Sequence, residues 1–378
     1  MKKYFILFVT VLLALSCNNN NKSRLLVDVR EVDFVNKSDV TIKGVPVDAE
    51  LPMGVVEMAA CDSFMLVLSR ERTNALFVYN DDFKLIGRFC SIGRGRNEFL
   101  TTPGWSAAQI LRNAEGDVLM PFVDSMNGGL KLVNLQKSLK TQSTVIDERS
   151  DYRGVNVLEY EKDGHKHRLS SALSYVFLDN NKNHIFEKYN PIVADGQVYS
   201  ELNYVVTHDS TRIRQFKLLA DFEANDENYM GGRVNKHPHR NLVVNPFLDL
   251  DYILFFDLDN DRTFAIHQPG SLSFEEKLPV IPIEYDENGF ELYAERRNHF
   301  FRSACADSFF MVSYYAGEAF PELLFFDWDG NFLKSVKLDT HVSNITYDER
   351  KQILYGLDVP NDRIISFDLS QIVADFTE

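Results

Sequence analysis

The sequence predicts an all-β fold built from repeated antiparallel units, and three observations lead to this prediction. Short runs of aliphatic, aromatic and β-branched residues recur along the chain, for example residues 64–68, 75–79 and 252–256. Clusters of Asp and Asn, which are typical turn residues, end these runs. No long stretch shows the 3.6-residue period of an amphipathic helix, and the runs are too closely spaced for the crossover helices that parallel strands need.

One pattern occurs six times: an apolar strand that ends in a polar turn residue and is followed by a second strand. The six turn residues are Asn80, Asn134, His208, Asp257, Asp327 and Asp368. Successive copies lie 41 to 74 residues apart, and a period of about 40 to 50 residues is typical of propeller blades. We therefore predict a six-bladed β-propeller of four-stranded antiparallel blades, with an insertion at residues 151–203 inside one blade.

The two ends of the chain indicate how the ring closes. The sixth turn residue lies about ten residues from the C-terminus, which is too few to complete a four-stranded sheet. Residues 25–30, Leu-Leu-Val-Asp-Val-Arg, form an isolated β-rich run at the other end. We expect this N-terminal strand to close the last blade and to cover its exposed edge. The propeller domain would then comprise residues 25–378.

The first residues have the pattern of an export signal. Two lysines precede an apolar run at residues 4–15, which is shorter than the roughly 20 residues of a membrane-spanning helix. Residues 13–17, Leu-Ala-Leu-Ser-Cys, resemble the lipobox of bacterial lipoproteins, so we expect residues 1–16 to be cleaved and Cys17 to carry lipid. An ordinary signal peptide is the alternative. Residues 17–24 form the predicted tether, which reaches about 25 Å at about 3.5 Å per residue.

The charge and the cysteine content exclude two classes of protein. The formal charge of −15 becomes −17 when residues 1–16 and their two lysines are removed, so we expect no binding to nucleic acid. After Cys17 the chain has three cysteines, Cys61, Cys90 and Cys305. This small odd number excludes a disulfide scaffold. Buried thiols are the favoured interpretation, and one disulfide with one free thiol is the alternative.

One segment resembles a known family of propellers. Residues 83–99, Phe-Lys-Leu-Ile-Gly-Arg-Phe-Cys-Ser-Ile-Gly-Arg-Gly-Arg-Asn-Glu-Phe, are similar to the blade-linking segment of NHL-type and TolB-like six-bladed propellers. In that family an outer strand leads into a glycine-rich turn and a Glu-Phe pair. Together with the lipobox, the chain resembles the six-bladed propeller lipoproteins of Bacteroidetes. It departs from the family at Arg96-Asn97, where Pro-Gly is usual. We expect Gly93 and Gly95 to serve backbone geometry or close packing, with a phosphate-binding loop as the alternative.

Two groups of side chains are candidates for ligand binding. In a propeller, loops between blades surround the channel at one face. The connection at residues 94–105 contains residue types that are enriched where partners bind, namely Arg94, Arg96 and Trp105. Its alternative role is a linker packed between blades. The insertion offers a second group, Tyr152, Arg153, His165, His167 and Arg168, whose mixed charge fits a solvated loop equally well.

The motifs for metal binding and catalysis are incomplete. Asp257, Asp259 and Asp261 alternate as calcium ligands do, but Arg262 and Gln268 occupy the positions where an EF-type loop has Gly and Glu. The pairs His237-Pro-His239 and His165-Lys-His167 have no acid or cysteine at a spacing that would complete a metal site. The sequence contains no Gly-x-Ser-x-Gly, Walker or His-Glu-x-x-His motif. We therefore predict neither a cofactor nor a bound metal.

These observations favour a binding module for a protein or glycan in the cell envelope, anchored in the outer membrane by Cys17. Surface-exported lipoproteins of the group that the chain resembles tend to have acidic residues directly after the cysteine. The residues after Cys17 are Asn and Lys, so the resemblance implies the periplasmic side rather than the cell surface. The resemblance implies two alternatives: a metal-dependent lactonase-like or lyase-like enzyme, and a structural subunit of an envelope assembly. Propeller enzymes gather their catalytic groups from several blades, and a single sequence does not show such convergence.

Overall fold

Six β-sheets arranged in a ring make up the fold, which confirms the predicted six-bladed β-propeller. The computed structural model describes residues 24–376, except residues 36, 72, 125, 127–128, 152–154, 163, 195–196, 210, 224–229, 231, 275–283, 286–290, 293–299 and 316–320. Cys17, the predicted signal and most of the predicted tether therefore lie outside the described residues. Within the described part, no helix is long and apolar enough to span a bilayer.

Each blade has four strands, which run from an inner strand at the central channel to an outer strand at the perimeter. Blade 1 comprises Val55–Cys61, Phe64–Ser69, Asn74–Asn80 and Leu85–Ser91. Blade 2 comprises Leu111–Arg112, Val118–Asp124, Gly129–Asn134 and Ile146–Asp151. Blade 3 comprises His165–Leu178, Ile185–Tyr189, Asn203–His208 and Thr211–Phe216. Blade 4 comprises Asn235–Lys236, Leu242–Pro246, Tyr252–Asp257 and Arg262–His267. Blade 5 comprises Phe300–Cys305, Phe309–Tyr314, Glu322–Asp327 and Phe332–Leu338. Blade 6 comprises Ser343–Asp348, Ile353–Asp358, Arg363–Asp368 and Val45–Pro46.

The six turn residues identified in the sequence each end the third strand of a different blade. Their side chains show why this position is polar. Asn80 Oδ1 accepts hydrogen bonds from the backbone N–H groups of Asp82 and Lys84, and Asp327 Oδ1 accepts from those of Asp329 and Asn331. Such bonds from a short polar side chain to its own turn fix the reversal to the outer strand. The repeat in the sequence is therefore a repeat of turn chemistry.

Insertions account for the unequal spacing of the repeats. In blade 2 the helix Leu135–Thr141 lies between the third and outer strands, and it begins at Asn134, whose side chain accepts from the Lys137 N–H. In blade 3 the strand Val155–Lys162 pairs with the first half of His165–Leu178, and only residues 173–178 pair with the next strand. The described residues between Val155 and Asn203 thus contain strands of blade 3 alone, so this interval holds one blade rather than two, as predicted. The remaining short elements are Ile192–Ala194, Gln197–Ser200, Glu284–Tyr285, Glu291–Leu292 and Ser370–Val373, with 3₁₀ turns at Ser106–Ala108, Val359–Asn361 and Ala374–Phe376.

The hydrophobic core is divided among the junctions between blades. The described residues form six clusters of buried apolar side chains, and each cluster joins two neighbouring blades. The last junction, between blades 6 and 1, packs Tyr355 and Ile364 against Met58 and Phe77. Because every blade buries both faces against its neighbours, closing the ring leaves no blade with an uncovered apolar face.

The N-terminal segment closes the ring, but through different residues from those expected. Val45–Pro46 pairs antiparallel with Arg363–Asp368 and forms the outer strand of blade 6. The expected strand, residues 25–30, lies elsewhere: Asp28–Glu31 pairs parallel with the outer strand of blade 4, and Thr41–Ile42 adds to blade 5 in the same way. The assignment of residues 25–30 to the last blade was therefore wrong. The segment follows the perimeter of three blades, because several outer edges can accept a short strand.

Candidate functional site

A chamber lies on the axis of the propeller, where the inner strands of the six blades meet. Its volume is about 590 Å³, and residues near the inner strands of all six blades line it. One end opens to solvent, because the lining residues beyond the inner strands are exposed, among them Asp62, Arg112, Asn180, His239 and Arg350. The lining residues at the other end, Glu57, Asn235 and Ser303, are buried. The chamber is thus a cup rather than an open channel.

An ion pair across the axis forms the closed end of the cup. Glu57 belongs to the inner strand of blade 1, and Arg233 immediately precedes the inner strand of blade 4, which is the opposite blade of the ring. The two side chains are in direct contact and only 10% and 11% exposed. Arg233 Nη1 also donates to Asn344 Oδ1 of blade 6 at 3.4 Å. One arginine therefore links residues of blades 1, 4 and 6 at this end of the chamber.

Polar side chains also join the inner strands along the chamber wall. The Gln109 amide pairs with the backbone of Leu178 like a strand residue: its Nε2 donates to the carbonyl at 2.7 Å and its Oε1 accepts from the N–H at 3.1 Å. Thr346 Oγ1 accepts from the Ala60 N–H at 3.0 Å. These bonds satisfy inner-strand backbone groups that the blade's own ladder leaves open. They hold the wall in one arrangement.

At the open end, contacts between neighbouring blades form a polar rim. Arg112 pairs with Asp62 at 2.7 Å, and Asp81 pairs with Arg350 and Lys351, both at 2.6 Å. The hydrogen bond from Lys351 is the largest influence that holds the pKa of Asp81 below its ordinary value. These pairs are exposed, so each contributes little to stability. Their effect is to keep the rim side chains in place around the opening.

Lys236 and His237 extend the rim from blade 4 toward its two neighbours, Lys236 toward blade 3 and His237 toward blade 5. Lys236 Nζ donates to Asn180 Oδ1 and to the Arg240 carbonyl, each at 2.8 Å, and burial lowers the pKa of this lysine to about 8. His237 Nδ1 accepts from the backbone N–H groups of His239 and Arg240. Burial lowers the pKa of His237 to about 4, so the ring is neutral with its proton on Nε2, which lies 3.8 Å from Asp307 Oδ1.

The structure gives the incomplete metal motifs other roles. His237 uses Nδ1 for its own turn, so that nitrogen is not available to a metal. The Asp257, Asp259 and Asp261 carboxylates each face a different partner, namely Asn260, Asn241 and Arg214. Among the described residues, no group of three or more His, Cys, Asp or Glu side chains is placed to share a metal ion.

The three cysteines of the propeller are free thiols. Cys61 and Cys90 are buried and Cys305 is partly buried, in agreement with the interpretation as small apolar residues. Cys61 and Cys305 line the chamber. Burial raises the pKa of Cys61 to about 12 and also raises that of Cys305. Both therefore stay protonated near neutral pH and are poor nucleophiles.

The glycine-rich connection after blade 1 is closely packed, because the Glu98 side chain lies against Gly93 and Gly95. A Cβ atom on Gly93 would lie 2.1 Å from Glu98 Oε2, and the Glu98 carboxylate accepts from the Gly95 N–H. The expected close packing at these glycines is confirmed. Lys131 secures the segment, because its Nζ donates to the Glu98 carbonyl at 2.7 Å and lies 4.4 Å from the centre of the Phe99 ring.

The predicted binding residues that the structure describes, Arg94, Arg96, Trp105 and His165, are not among those that line the chamber. Arg94 and Arg96 are exposed on the connection between blades 1 and 2, and His165 is exposed at the turn of the blade 3 hairpin. Trp105 is buried against Phe122, and its indole N–H donates to the Gln109 carbonyl at 3.0 Å. It also borders a second cavity of about 390 Å³, which shares Glu57 with the chamber. Arg153 and the side chain of His167 lie outside the described residues, and the binding roles of all these residues stay predictions.

The two residues that form the closed end, Glu57 and Arg233, were not singled out from the sequence, whereas Cys61, His237, His239 and Cys305, which were considered for other roles, do line the chamber. Glu57 interrupts the β-rich run Val55–Cys61 with a buried charge, and Arg233 follows a glycine pair. A charged residue within an apolar strand is the one local signal that could have drawn attention to the site. Nothing local indicates that these two residues meet.

The comparisons with known proteins leave the family open. No protein-family model and no curated protein matches the chain. A putative exported protein from Bacteroides fragilis has a TM-score of 0.48 at 11% identity over 90% of this chain and 98% of its own. The Cps50 (Swd1) β-propeller domain of Myceliophteria thermophila has 0.47 at 9%, over 86% and 100%. The RRP9 WD40 repeats have 0.44 at 8%, over 89% and 99%. The propeller assignment therefore rests on the strand topology of the chain itself.

Proposed function

We propose that this protein is a binding module of the cell envelope, which holds one end of an extended ligand in the axial chamber. The observation that carries the proposal is the cup shape: inner strands of all six blades line the space, and the Glu57–Arg233 pair closes its far end. A closed cup receives a terminus or a small group. It does not pass a chain through the ring.

The size and stiffness of the chamber support binding. Its volume of about 590 Å³ falls within the roughly 300 to 1,000 Å³ of ordinary ligand pockets. Hydrogen bonds such as Gln109 to Leu178 connect the wall across blade junctions. A preformed site loses little conformational entropy when a ligand enters, which favours affinity.

The lipobox-like residues 13–17 support a lipid anchor at Cys17, and we place the propeller at the periplasmic face of the outer membrane. Metabolic labelling with a palmitate analogue tests the anchor. Label should appear on the wild-type chain and be absent from Cys17→Ala. Label on the variant would contradict anchoring at this residue. Protease treatment of whole cells then distinguishes the two faces, since a periplasmic body is protected.

Blocking the chamber tests the binding function. Ala60 lines the chamber and is only partly buried, so Ala60→Trp should fill much of the cup while the fold is retained. Thr211→Trp, on the exposed outer strand of blade 3, is the matched control. The purified proteins are probed on arrays of oligosaccharides and of peptides. Binding should be lost for Ala60→Trp alone.

Two results would contradict the proposal. One is array binding that is equal for wild type, Ala60→Trp and Thr211→Trp, since the ligand would then lie elsewhere. The other is a purified protein that retains a stoichiometric metal and hydrolyses lactones in a chelator-sensitive reaction, which would identify the chamber as the site of an enzyme.

A further inference from the structure

The two faces of the propeller are built from different parts of the blades. At one face lie the turns between first and second strands and those between third and fourth strands, and the chamber opens there beside Asp62, His239 and Arg350. We call this the turn face. At the other face lie the connections between blades and the turns between second and third strands. We call this the connection face, and the chamber is closed toward it by Glu57 and Arg233.

The described chain begins at the connection face. Arg24 Nη2 donates to the Asp221 carbonyl at 2.9 Å, and Arg24 Nη1 donates to the Phe274 carbonyl at 3.0 Å. Leu25 forms a β-bridge with Leu219. Leu219 and Asp221 follow the outer strand of blade 3, and Phe274 follows that of blade 4, where the chain passes to the next blade. The predicted tether therefore joins the fold at this face.

The length of the tether limits where a bilayer can lie. From Cys17 to Arg24 the chain reaches at most about 25 Å. The strand Val55–Cys61 runs from the connection face to the turn face and spans about 23 Å by itself. A bilayer at the turn face would therefore require a fully extended tether along the outside of the ring. A bilayer at the connection face requires no such extension, and tethering gives even a weak contact a high effective concentration.

Exposed apolar side chains also mark the connection face. Eight large apolar residues are exposed in the described part of the chain, and none of them lies in a turn of the turn face. Four lie on the connection face and are 79%, 67%, 59% and 52% exposed: Met53, Met126, Val359 and Leu26. The other four belong to strands at the perimeter: Val29, Val45, Leu85 and Ile213. Apolar side chains gain free energy when they leave water for the boundary between lipid headgroups and acyl chains.

The charges of the turn face disfavour it as a membrane surface. Every blade has an exposed carboxylate in a turn there: Asp82, Glu115, Asp209, Asp259, Asp329 and Glu349. The cations of this face include Arg112 and Arg350, both of which are paired with carboxylates. The phosphates of anionic phospholipids repel exposed carboxylates. The described part of the connection face carries both signs, for example Arg70 and Asp362, so its apolar side chains decide the choice.

We propose that the connection face lies against the phospholipid bilayer that holds the Cys17 acyl chains, so that the chamber opens away from the membrane. This inference rests on the proposed lipid anchor and adds an orientation to it. Met53, Met126, Val359 and Leu26 then enter the headgroup boundary. The chamber receives its ligand from the aqueous compartment and not from the membrane surface.

Tryptophans at the two ends of one strand test the orientation. Met53 lies just before the inner strand of blade 1 and Ser63 just after it, both are exposed, and the two native tryptophans are buried. Lipidated Met53→Trp and Ser63→Trp are reconstituted in phosphatidylcholine–phosphatidylglycerol vesicles, with or without bromine on the acyl chains. Because bromine quenches nearby tryptophan, it should remove about half of the emission added by Met53→Trp and none of that added by Ser63→Trp. Equal quenching of the two, or stronger quenching of Ser63→Trp, would overturn the inference.

A second measurement uses native side chains and does not depend on the folding of a tryptophan variant. Met53 and Met126 are exposed, whereas the other described methionines are buried. Oxidation by chloramine-T, read by mass spectrometry, should be at least about threefold slower at both for the lipidated wild type on vesicles than for unlipidated Cys17→Ala mixed with the same vesicles. Acetylation of Lys84, in a turn of the turn face, should be equal in the two forms. Equal oxidation rates would contradict the proposed contact.

The outcomes separate the orientation from the proposed function. If the wild-type protein does not float with the vesicles, the lipid anchor at Cys17 is wrong and the orientation fails with it. If the protein floats but Met53 is as accessible as in Cys17→Ala, the anchor stands and the orientation alone is wrong. Ligand binding by the chamber is tested independently by Ala60→Trp.

Discussion

Removing one partner of the axial ion pair should destabilise the fold, and the structure sets the size of the effect. In Arg233→Met, the Glu57 carboxylate loses its cation at a position where only about a tenth of its side chain is exposed. Breaking a buried pair in this way costs about 3 to 5 kcal/mol. With an unfolding entropy of roughly 2.1 cal/mol/K per residue over a fold of this size, that cost lowers Tm by about 4 to 7 °C.

The pair at the rim of the same chamber supplies a matched control. Arg112 and Asp62 are 47% and 44% exposed, so solvent screens their interaction, and Arg112→Met should cost at most about 1 kcal/mol. Calorimetry or the fluorescence of the two buried tryptophans, Trp105 and Trp328, reports the unfolding. The double variant Glu57→Leu/Arg233→Met should recover much of the lost stability, because no buried charge is left without a counter-charge.

The reasoning would be refuted if Arg233→Met and Arg112→Met lowered Tm equally. Equal losses would mean that solvent reaches the closed end and screens Glu57 there. The chamber would then be an open channel, and the argument for a terminal ligand group would lose its basis.

Three further predictions concern the fold. Burial lowers the pKa of Lys188 to about 7, so the unfolded chain holds this proton more tightly than the folded one. Folding stability should therefore rise as pH rises from about 7 toward 10.5. Lys188→Met should lack this rise, and parallel profiles of Tm against pH for the two proteins would contradict the prediction. A Cβ on Gly232 would lie 1.9 Å from the Pro246 carbonyl oxygen, whereas one on Gly129 would meet nothing closer than 3.6 Å, so thermal denaturation should show a clear loss for Gly232→Ala and little change for Gly129→Ala. Phe34 is fully buried against aromatic rings of blade 5, so Phe34→Ala should lower the free energy of unfolding in urea by about 3 to 5 kcal/mol. Leu26 is half-exposed. A loss of stability for Phe34→Ala no larger than that for Leu26→Ala would argue against the perimeter course of the N-terminal segment.

Much of the architecture could be predicted from local patterns. Five of the six turn residues accept hydrogen bonds from backbone N–H groups within four positions, as Asn80 and Asp327 do, so the neighbouring sequence explains why they are polar. His208 is the exception, because its side chain contacts a backbone carbonyl in a neighbouring turn. The packing of Gly93 against Glu98 is likewise local. Counting such local units was sufficient to obtain six blades and their antiparallel order.

The course of the N-terminal segment could not be obtained in this way. Residues 25–30 have the composition of a strand, and they do extend a sheet, but the edge they join is that of blade 4. The outer strands of blades 4 and 5 each accept a short additional strand from the segment, and the third strand of blade 6 accepts the strand that completes that blade. Strand propensity does not distinguish among these edges. The choice depends on long-range contacts such as the burial of Phe34 between blades 4 and 5.

The sequence by itself therefore determined the repeated unit, the number of blades and the turn chemistry, because these depend on residues close together in the chain. Only the tertiary structure decided the functional site. Glu57 and Arg233 lie 176 positions apart, in strands that face each other only after the ring has closed. A pair of this kind produces no periodic pattern in the sequence, because its two residues are brought together only by the arrangement of six blades around one axis. The chamber and the ion pair at its closed end are consequences of that closure.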